Sequence, residues 1–164
     1  AAGIMKAMMH VNDKMPHIKN LVIDDWQYMS SFEYFDRADE KGYDKFTSIA
    51  KNLAQVAKMP KDMRDDLYIF FLTHSEESTD VNGHRKVKAK TVGKMIDNAL
   101  TLEGLFSIVL FGKVVKNEDD KLSYVFETVN NGENTCKSPD GMFENARIDN
   151  SLKIVKDAII EYEN

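Results

Sequence analysis

The sequence predicts a mixed α/β fold, with a parallel strand–helix–strand unit in its first half and an antiparallel edge in its second half. Two apolar runs, 18–23 and 67–72, flank a helix predicted over 43–59, whose apolar residues recur on one face. Neither run alternates between apolar and polar residues, which is typical of parallel strands covered by helices on both faces. Two further runs, 105–115 and 122–128, are separated by a polar turn and predict an antiparallel hairpin.

Two helices are predicted before the amphipathic one. Apolar residues recur at helical spacing from residue 4 to residue 15, and Pro16 ends this first helix. Ser30 and Glu33 have the spacing of a capping box, which predicts a short second helix that Gly42 closes.

The second half of the chain is expected to end in a further helix. A polar loop is predicted over 130–140, and the segment Asp149–Ser151 is expected to cap a helix whose apolar residues, from Leu152 onward, pack inward. The sequence has no internal repeat and only three prolines, so we predict a single domain over residues 1–164.

Composition excludes several classes of protein. The longest apolar runs, such as 67–72, are far shorter than the roughly 20 residues of a membrane-spanning helix. A single cysteine, Cys136, excludes a disulfide scaffold and fits a reducing cytoplasm, where we expect it to be a small buried hydrophobe. With 27 acidic and 22 basic residues the net charge is −5, so nucleic acid would be indicated as a partner only by a local basic patch.

Polar pairs follow both predicted parallel strands: Asp24–Asp25 after the first and Thr73–His74 after the second. Because ligands bind at the carboxyl ends of parallel strands, these pairs are candidate site residues. An apolar strand that ends in a carboxylate has the form of a Walker B element, in which Asp24 would act on Mg²⁺ and Asp25 would polarise the attacking water. The alternative is that one of these carboxylates only caps the helix that follows.

The histidine after the second strand has two interpretations. One role for His74 is to sense a γ-phosphate or to polarise water, because a neutral imidazole both donates and accepts. The other is to satisfy a loop carbonyl. The remaining histidines have no metal-ligand spacing with one another or with Cys136, so a zinc site is not expected.

One window of the chain is strongly basic. Residues 81–96 contain no acidic residue and five basic ones: Arg85, Lys86, Lys88, Lys90 and Lys94. One interpretation is a mobile loop that contacts nucleic-acid or nucleotide phosphates. The other is a solvated strand, since lysines alternate with other residues from 85 to 90.

The sequence contains no G-x-x-x-x-G-K-[ST], the loop whose backbone holds the β- and γ-phosphates of a nucleotide. Gly93–Lys94 is followed by Met95 and lacks the first glycine of that motif. We therefore expect that this chain alone does not hydrolyse ATP.

The ordered set of segments resembles the phage-encoded ATP-binding proteins of the AAA/RecA-like P-loop NTPase class, some of which act in single-strand annealing and recombination during phage DNA replication. The resemblance covers essentially the whole chain. It is carried by the segments Leu21–Met29, Gly42–Phe46, Arg64–Leu67, Phe70–Glu76, Gly93–Met95, Thr101–Phe106 and Asn134–Phe143.

This resemblance implies a RecA-like three-layer sandwich that uses ATP and Mg²⁺ and binds single-stranded DNA. It also implies a homo-oligomeric ring or filament in the cytoplasm of a bacterial host, without a membrane partner. Family members normally begin with a strand and a Gly-rich phosphate loop ahead of the segments found here. The chain is therefore expected to be the C-terminal two-thirds of such a domain, incomplete at its N-terminus.

The resemblance also assigns roles to individual residues. Asp24 matches the Walker B acid that binds the cofactor's Mg²⁺, and Asp25 matches the acid beside it. Thr73 and His74 match the polar sensor position. Lys94 falls where related ATPases send a basic finger toward the neighbour's nucleotide. The segment 75–90 falls where RecA-like proteins place a DNA-contacting loop, which makes these residues candidate DNA contacts: Arg85, Lys86, Lys88 and Lys90.

Two hypotheses of function follow. The first is the nucleotide-hydrolysing core of a phage DNA-recombination ATPase, present without its phosphate loop. The alternative is a non-catalytic DNA-binding or assembly module that retains only the fold.

Overall fold

The computed structural model describes residues 1–91, 100–116 and 119–164. Within these ranges the chain is mixed α/β, as predicted, and it divides into two compact units. Unit 1 comprises Ala1–Glu76 and Ala89–Leu105, and unit 2 comprises Glu77–Lys88 and Phe106–Asn164. The single domain expected over residues 1–164 stays a prediction, and each unit is described by itself. Among the described helices, none combines the length and hydropathy needed to span a bilayer.

Unit 1 is built around a pair of parallel strands. Its elements are α1 (Ala2–Lys14), β1 (Asn20–Ile23), α2 (Tyr28–Asp36), α3 (Asp44–Lys58), a 3-10 turn at Met59–Asp62, β2 (Tyr68–Phe71) and a second 3-10 turn at Leu102–Leu105. β1 and β2 are hydrogen-bonded in parallel, with Asn20 opposite Tyr68 and Ile23 opposite Phe71. Because two helices connect these strands, the parallel strand–helix–strand unit is confirmed.

Helix α3 supplies most of the core of unit 1. Ile49, Leu53 and Val56 recur on one helical face and are almost fully buried, as is Met8 of α1. Burial of each such side chain contributes about 1.5–3 kcal/mol. Asp44 in the first turn and Lys58 in the last complement the helix dipole. The amphipathic helix predicted over 43–59 is therefore confirmed.

One arginine fixes the C-terminal end of α1. The guanidinium of Arg64 donates to four main-chain carbonyls, those of Val11 (2.9 Å), Asn12 (2.7 Å), Met15 (3.3 Å) and Ile18. Carbonyls at a helix C-terminus lack partners within the helix, and a cation there also complements the helix dipole. Since β1 follows directly, these contacts fix where the strand begins.

The second helix does not begin where the sequence predicts. It starts at Tyr28, with Gln27 as its N-cap, and it ends at Asp36, well before Gly42. Ser30 lies inside this helix, and its hydroxyl donates to the carbonyl of Gln27 at 2.6 Å instead of capping an N–H group. The capping-box prediction is therefore wrong, because the helix begins at Tyr28, directly after a turn at residues 24–27, and Ser30 is not its N-cap.

The two parallel strands are not buried on both faces. Val22 in β1 is 45% exposed, and every residue of β2 is half-buried. The sheet of unit 1 has only these two strands in the described residues, so each strand is an edge strand. The expectation that helices cover both faces is therefore wrong at Val22.

Residues 85–89 of the basic window form a strand. β3 (Ser75–Thr79) and β4 (Arg85–Ala89) make a separate two-stranded sheet. At one end of this sheet the amide of Lys90 donates to the carbonyl of His74 at 2.8 Å. At the other end of the sheet the amide of Asp80 donates to the carbonyl of His84 at 2.9 Å. These pairs define an antiparallel hairpin. Of the two interpretations of the basic window, the strand is therefore confirmed for residues 85–89, and residues 92–96 lie outside the described residues.

Unit 2 contains an antiparallel sheet and the last helix. Its strands are β5 (Phe111–Lys116), β6 (Leu122–Glu127) and β7 (Arg147–Asp149), in that order across the sheet, and α4 (Leu152–Glu163) follows them. The predicted hairpin is confirmed by the antiparallel β5–β6 pairing. Its first strand begins at Phe111 rather than at residue 105, because a 3-10 turn occupies residues 102–105. The predicted turn between the strands includes Asn117 and Glu118, which lie outside the described residues.

The final helix and the preceding loop follow the prediction in outline. Ser151 is the N-cap of α4, although its side chain makes no capping hydrogen bond, and Val155 is buried. Cys136 in the polar loop is 3% exposed, as expected for a small buried hydrophobe. Burial raises the pKa of the Cys136 thiol to about 11.

A buried carboxylate joins this loop to the sheet. Glu127 is 4% exposed and accepts hydrogen bonds from Asn134 Nδ2 (2.7 Å), Arg147 Nη2 (3.0 Å) and Lys113 Nζ (3.3 Å). Burial raises the pKa of the Glu127 carboxyl, but the hydrogen bonds from Arg147 and Lys113 outweigh burial, so the pKa lies below its usual value. This network is structural, because it connects β5, β6, β7 and the loop.

Candidate functional site

The residues that follow the two parallel strands lie together. Because Ile23 is opposite Phe71, the corners after β1 and β2 are neighbours at the carboxyl edge of the sheet. Nε2 of His74 lies 3.3 Å from Oδ1 of Asp25. The pairs Asp24–Asp25 and Thr73–His74 therefore share one edge of the sheet.

The backbone holds the corner after β1 in a defined position. Asp25 has a φ of +47°, in the left-handed region that non-glycine residues rarely adopt. The amide of Trp26 donates to the carbonyl of Leu72 at 3.1 Å, which ties this corner to the end of β2. The Trp26 ring is buried and meets the ring of Phe71 edge-on, with centroids 5.2 Å apart. The left-handed backbone of Asp25 is strained, and such strain persists only where surrounding contacts fix the chain. It is common at functional sites.

His74 is held on two sides. Asp25 faces its Nε2, and the ring of Tyr28 lies edge-on to the imidazole, with centroids 6.1 Å apart and planes at 88°. The side chains of His74 and Asp25 are 56% and 47% exposed, so solvent screens their attraction. The hydroxyl of the neighbouring Thr73 donates to the main-chain carbonyl of His74 at 3.3 Å. His74 therefore keeps a ring accessible to a ligand.

A cleft of about 890 Å³ opens beside this corner. The first turn of α1, the two acids Asp24 and Asp25, and residues of α2 that include Tyr28, Phe32 and Asp36 line it. The cleft is thus lined by carboxylate and aromatic side chains.

The acids of the cleft suit one kind of metal site. Among residues 1–91, 100–116 and 119–164, no three His, Cys, Asp or Glu side chains are grouped so that they could hold a metal by themselves. Mg²⁺, however, usually takes one or two protein carboxylates and completes its octahedron with waters and substrate phosphates. Asp24 is exposed, and no hydrogen bond or ion pair joins its carboxylate to another described residue. Asp24 and Asp25 are therefore the residues of this edge that could supply carboxylate oxygens to a Mg²⁺ ion.

The candidate DNA-binding residues lie along β4, but some are already engaged. Arg85 forms an ion pair with Glu77. It forms a second one with Glu133, in which Nη1 of Arg85 lies 3.5 Å from Oε2 of Glu133. The hydrogen bond to Glu77 raises the pKa of Arg85 and lowers that of Glu77. Lys86 Nζ donates to the carbonyl of Gly132 at 2.6 Å.

The lysines of this window share one side of the strand. Because successive side chains of a strand point to opposite faces, Lys86, Lys88 and Lys90 lie on one face of the β4 backbone and its extension, and Arg85 lies on the other. Lys94, with Gly93, lies outside the described residues.

Three aromatic residues of α2, of which Tyr28 and Phe32 line the cleft, were missed by the sequence-based reasoning. Tyr28, Phe32 and Phe35 are spaced i, i+4 and i+7 along α2, and they are 45%, 64% and 69% exposed. That spacing was available as a signal, because it places three aromatic rings on one helical face. Their position beside the acids depends on the corner at Asp25, which spacing alone does not show.

No protein-family model, curated protein or solved structure matches this chain at a significant level. The geometry of the carboxyl edge is therefore the main support for a function.

Proposed function

We propose that this chain supplies the metal- and water-handling edge of an ATP-hydrolysing domain of the AAA/RecA-like P-loop class. We propose further that it acts on single-stranded DNA in phage recombination or replication, in the cytoplasm of a bacterial host. One observation carries the proposal: the polar residues that end two adjacent parallel strands meet, with His74 Nε2 3.3 Å from Asp25 Oδ1, beside a cleft of about 890 Å³.

The fold proposed for the whole domain is a RecA-like three-layer sandwich. The parallel β1–β2 pair with its connecting helices, and the antiparallel C-terminal hairpin, are compatible with that architecture.

Each residue of the edge has a role in this proposal. Asp24 holds Mg²⁺ through its carboxylate, and the bound ion would neutralise charge on nucleotide phosphates. Asp25 and His74 orient a water molecule, with the imidazole able to accept a proton at a ring nitrogen. Thr73 fixes the main chain at His74 through its hydroxyl. Lys94 keeps its proposed role as a basic finger toward a neighbour's nucleotide.

The test is Mg²⁺-dependent binding of ATP by this chain, measured by isothermal titration calorimetry. We expect Asp24→Asn to weaken that binding at least about tenfold, because the carboxylate proposed to hold the ion is lost. Asp65→Asn is a matched control, since Asp65 is an exposed acid before β2 and does not line the cleft. Binding that Asp24→Asn leaves unchanged, or that Asp65→Asn weakens equally, would overturn the proposal.

A non-catalytic DNA-binding module is the second candidate, favoured by the shared face of Lys86, Lys88 and Lys90. Single-stranded DNA should then bind without nucleotide, and charge reversal at the three lysines should reduce the slope of log K against log salt by about 0.7 for each lost phosphate contact. Lys153→Glu, at an exposed lysine of α4, serves as the control. Fluorescence anisotropy with labelled DNA measures both quantities, and binding that ignores salt and these lysines would contradict this candidate.

A further inference from the structure

The chain contains two Asn–Gly pairs, Asn82–Gly83 and Asn131–Gly132. Asparagine is a chemically labile residue, and it reacts most readily before glycine, because a residue without a side chain leaves its backbone nitrogen open to the asparagine amide. Both pairs are exposed: the first lies at the turn of the β3–β4 hairpin and the second in the loop after β6. They are therefore candidate sites of covalent modification.

Deamidation at an Asn–Gly pair proceeds through a cyclic imide. The backbone nitrogen of the glycine loses its proton to base and forms a bond to Cγ of the asparagine. The Cγ–Nδ2 bond breaks, and Nδ2 leaves as ammonia after it takes a proton from water. Water then adds to one of the imide carbonyls and opens the ring to aspartate or isoaspartate, without any oxidation or reduction. The reaction needs only water and base, but the asparagine side chain must be free to turn toward the glycine nitrogen.

The two glycines are almost equivalent in the structure. Gly83 and Gly132 have φ values of +85° and +91°. The amide of Gly83 donates to the carbonyl of Asp80 at 3.0 Å, and the amide of Gly132 donates to Oδ1 of Asn130 at 2.7 Å. Each nitrogen must release one hydrogen bond before it reacts, so the attacking groups do not distinguish the two sites.

The two asparagine side chains differ. Oδ1 of Asn131 accepts hydrogen bonds from the amides of Glu133 (2.9 Å) and Asn134 (3.2 Å). Nδ2 of Asn131 also donates to the buried carboxylate of Glu127 at 3.5 Å. The side chain of Asn82 makes no hydrogen bond with the part of the chain that the structure describes. Releasing the two bonds to Oδ1 should slow Asn131 about 30-fold, the equivalent of about 2 kcal/mol.

From this difference we infer that Asn82 is a deamidation site of the folded chain, whereas the loop around Asn131 protects that residue from the same reaction. The chain itself is the substrate, and water is the only co-reactant. This inference goes beyond the proposed function, because it uses neither a nucleotide nor DNA.

Deamidation of Asn82 changes the hairpin. The amide of Asp80 donates to the carbonyl of His84 at 2.9 Å, and Oδ1 of Asp80 accepts from the amide of His84 at 2.9 Å. Isoaspartate lengthens the main chain between these two residues, so both hydrogen bonds lose their geometry. Either product also adds a negative charge to residues 81–91, which contain no acidic residue. The reaction therefore loosens the turn and lowers the positive charge of the hairpin.

Peptide mapping by mass spectrometry measures both sites in one molecule. Trypsin cleaves after lysine and arginine, so Asn82 is recovered in peptide 65–85 and Asn131 in peptide 122–137. The folded chain is incubated in mildly alkaline buffer, and tandem mass spectrometry follows the conversion of each asparagine to its acid. We expect Asn82 to react about 30-fold faster than Asn131. Asn82→Gln should remove the conversion in peptide 65–85, where Asn82 is the only asparagine, and leave peptide 122–137 unchanged.

The same chain unfolded in urea is the matched control. No loop holds Asn131 there, so the two rates should differ by less than about threefold. Equal rates in the folded chain, or faster reaction at Asn131, would overturn the inference. The same holds for an Asn82 that reacts only in urea, and for an excess at Asn82 that persists unchanged in urea, since sequence neighbours rather than the fold would then cause it.

Hydrogen exchange tests the effect on the turn. After incubation, the amide of His84 should exchange faster in the native chain than in Asn82→Gln, because only the native chain forms isoaspartate at the turn. The amide of Val109, which donates to the carbonyl of Lys137 outside the hairpin, is the internal control and should exchange equally in both. Equal exchange at His84 in the two incubated chains would refute the loosened turn.

Discussion

Replacing Arg64 with methionine is expected to destabilise the chain by about 3 kcal/mol. Methionine keeps the apolar stem but removes the guanidinium, so the carbonyls of Val11, Asn12, Met15 and Ile18 lose their donor. A hydrogen bond to a charged group contributes about 1.5–3 kcal/mol. Four such bonds would give at least about 6 kcal/mol, but Arg64 is 20% exposed and water replaces some of the lost donors. Half of that sum is therefore the expected loss.

Urea unfolding followed by tryptophan fluorescence measures this loss. The chain has one tryptophan, Trp26, which is buried in unit 1 near the end of β1, so its emission reports on the unit that Arg64 stabilises. Thermal unfolding followed by the same emission should show a decrease in Tm of about 6–12 °C, from about 2–4 °C for each kcal/mol in a chain of this size.

Arg37→Met provides the matched control for this experiment. Arg37 is 25% exposed, close to the value of Arg64, but its partners are the carboxylates of Glu33 and Glu40, which water can solvate when the arginine is lost. This change should cost at most about 1 kcal/mol. If Arg64→Met costs no more than Arg37→Met, the role assigned to Arg64 at the end of α1 is refuted.

Three further predictions concern single residues. The folded-state pKa of Glu127 is lowered, so its contribution to stability is present above the unfolded carboxyl value and disappears as pH falls through the folded pKa. Glu127→Gln should therefore lower the Tm at pH 7, and the difference from the native chain should shrink in acid; a constant difference would contradict this. Cys136 should react with a thiol reagent only after unfolding, because it is buried with a pKa of about 11, and rapid modification of the folded chain would contradict its burial. Asp25 adopts a left-handed backbone, so Asp25→Ala should cost about 1 kcal/mol more stability than Asp25→Asn, which tolerates that conformation; equal losses in urea would exclude backbone strain as the cause.

Local pattern was sufficient to predict the elements with strong periodicity. Helix α3 was recognisable because Ile49, Leu53 and Val56 repeat at helical spacing and need no distant partner to define the face. The approach of Asp25 to His74 could also be anticipated, because two parallel strands place their carboxyl ends at one edge whatever the details of the connection.

Features that depend on distant residues could not be predicted. Arg64 contacts carbonyls about 50 positions earlier in the chain, and Glu127 receives a hydrogen bond from Arg147, 20 positions later. Strand β7 has only three residues, too few for a pattern. The start of α2 was missed because a corner held by the contact between Trp26 and Leu72 precedes it. In each case a tertiary contact, rather than local propensity, decides the structure.

Paramagnetic line broadening tests most directly the central claim that the carboxyl edge of β1 and β2 binds a metal ion with a nucleotide. Mn²⁺, which takes oxygen ligands as Mg²⁺ does, would be added with ATP to the isotope-labelled chain. We predict that the amide signals of residues 24–26 and 73–74 broaden first, and that Asp24→Asn removes this effect while Asp65→Asn does not. Earlier broadening at another acidic pair, such as Asp119–Asp120, or the same broadening in Asp24→Asn, would contradict the claim.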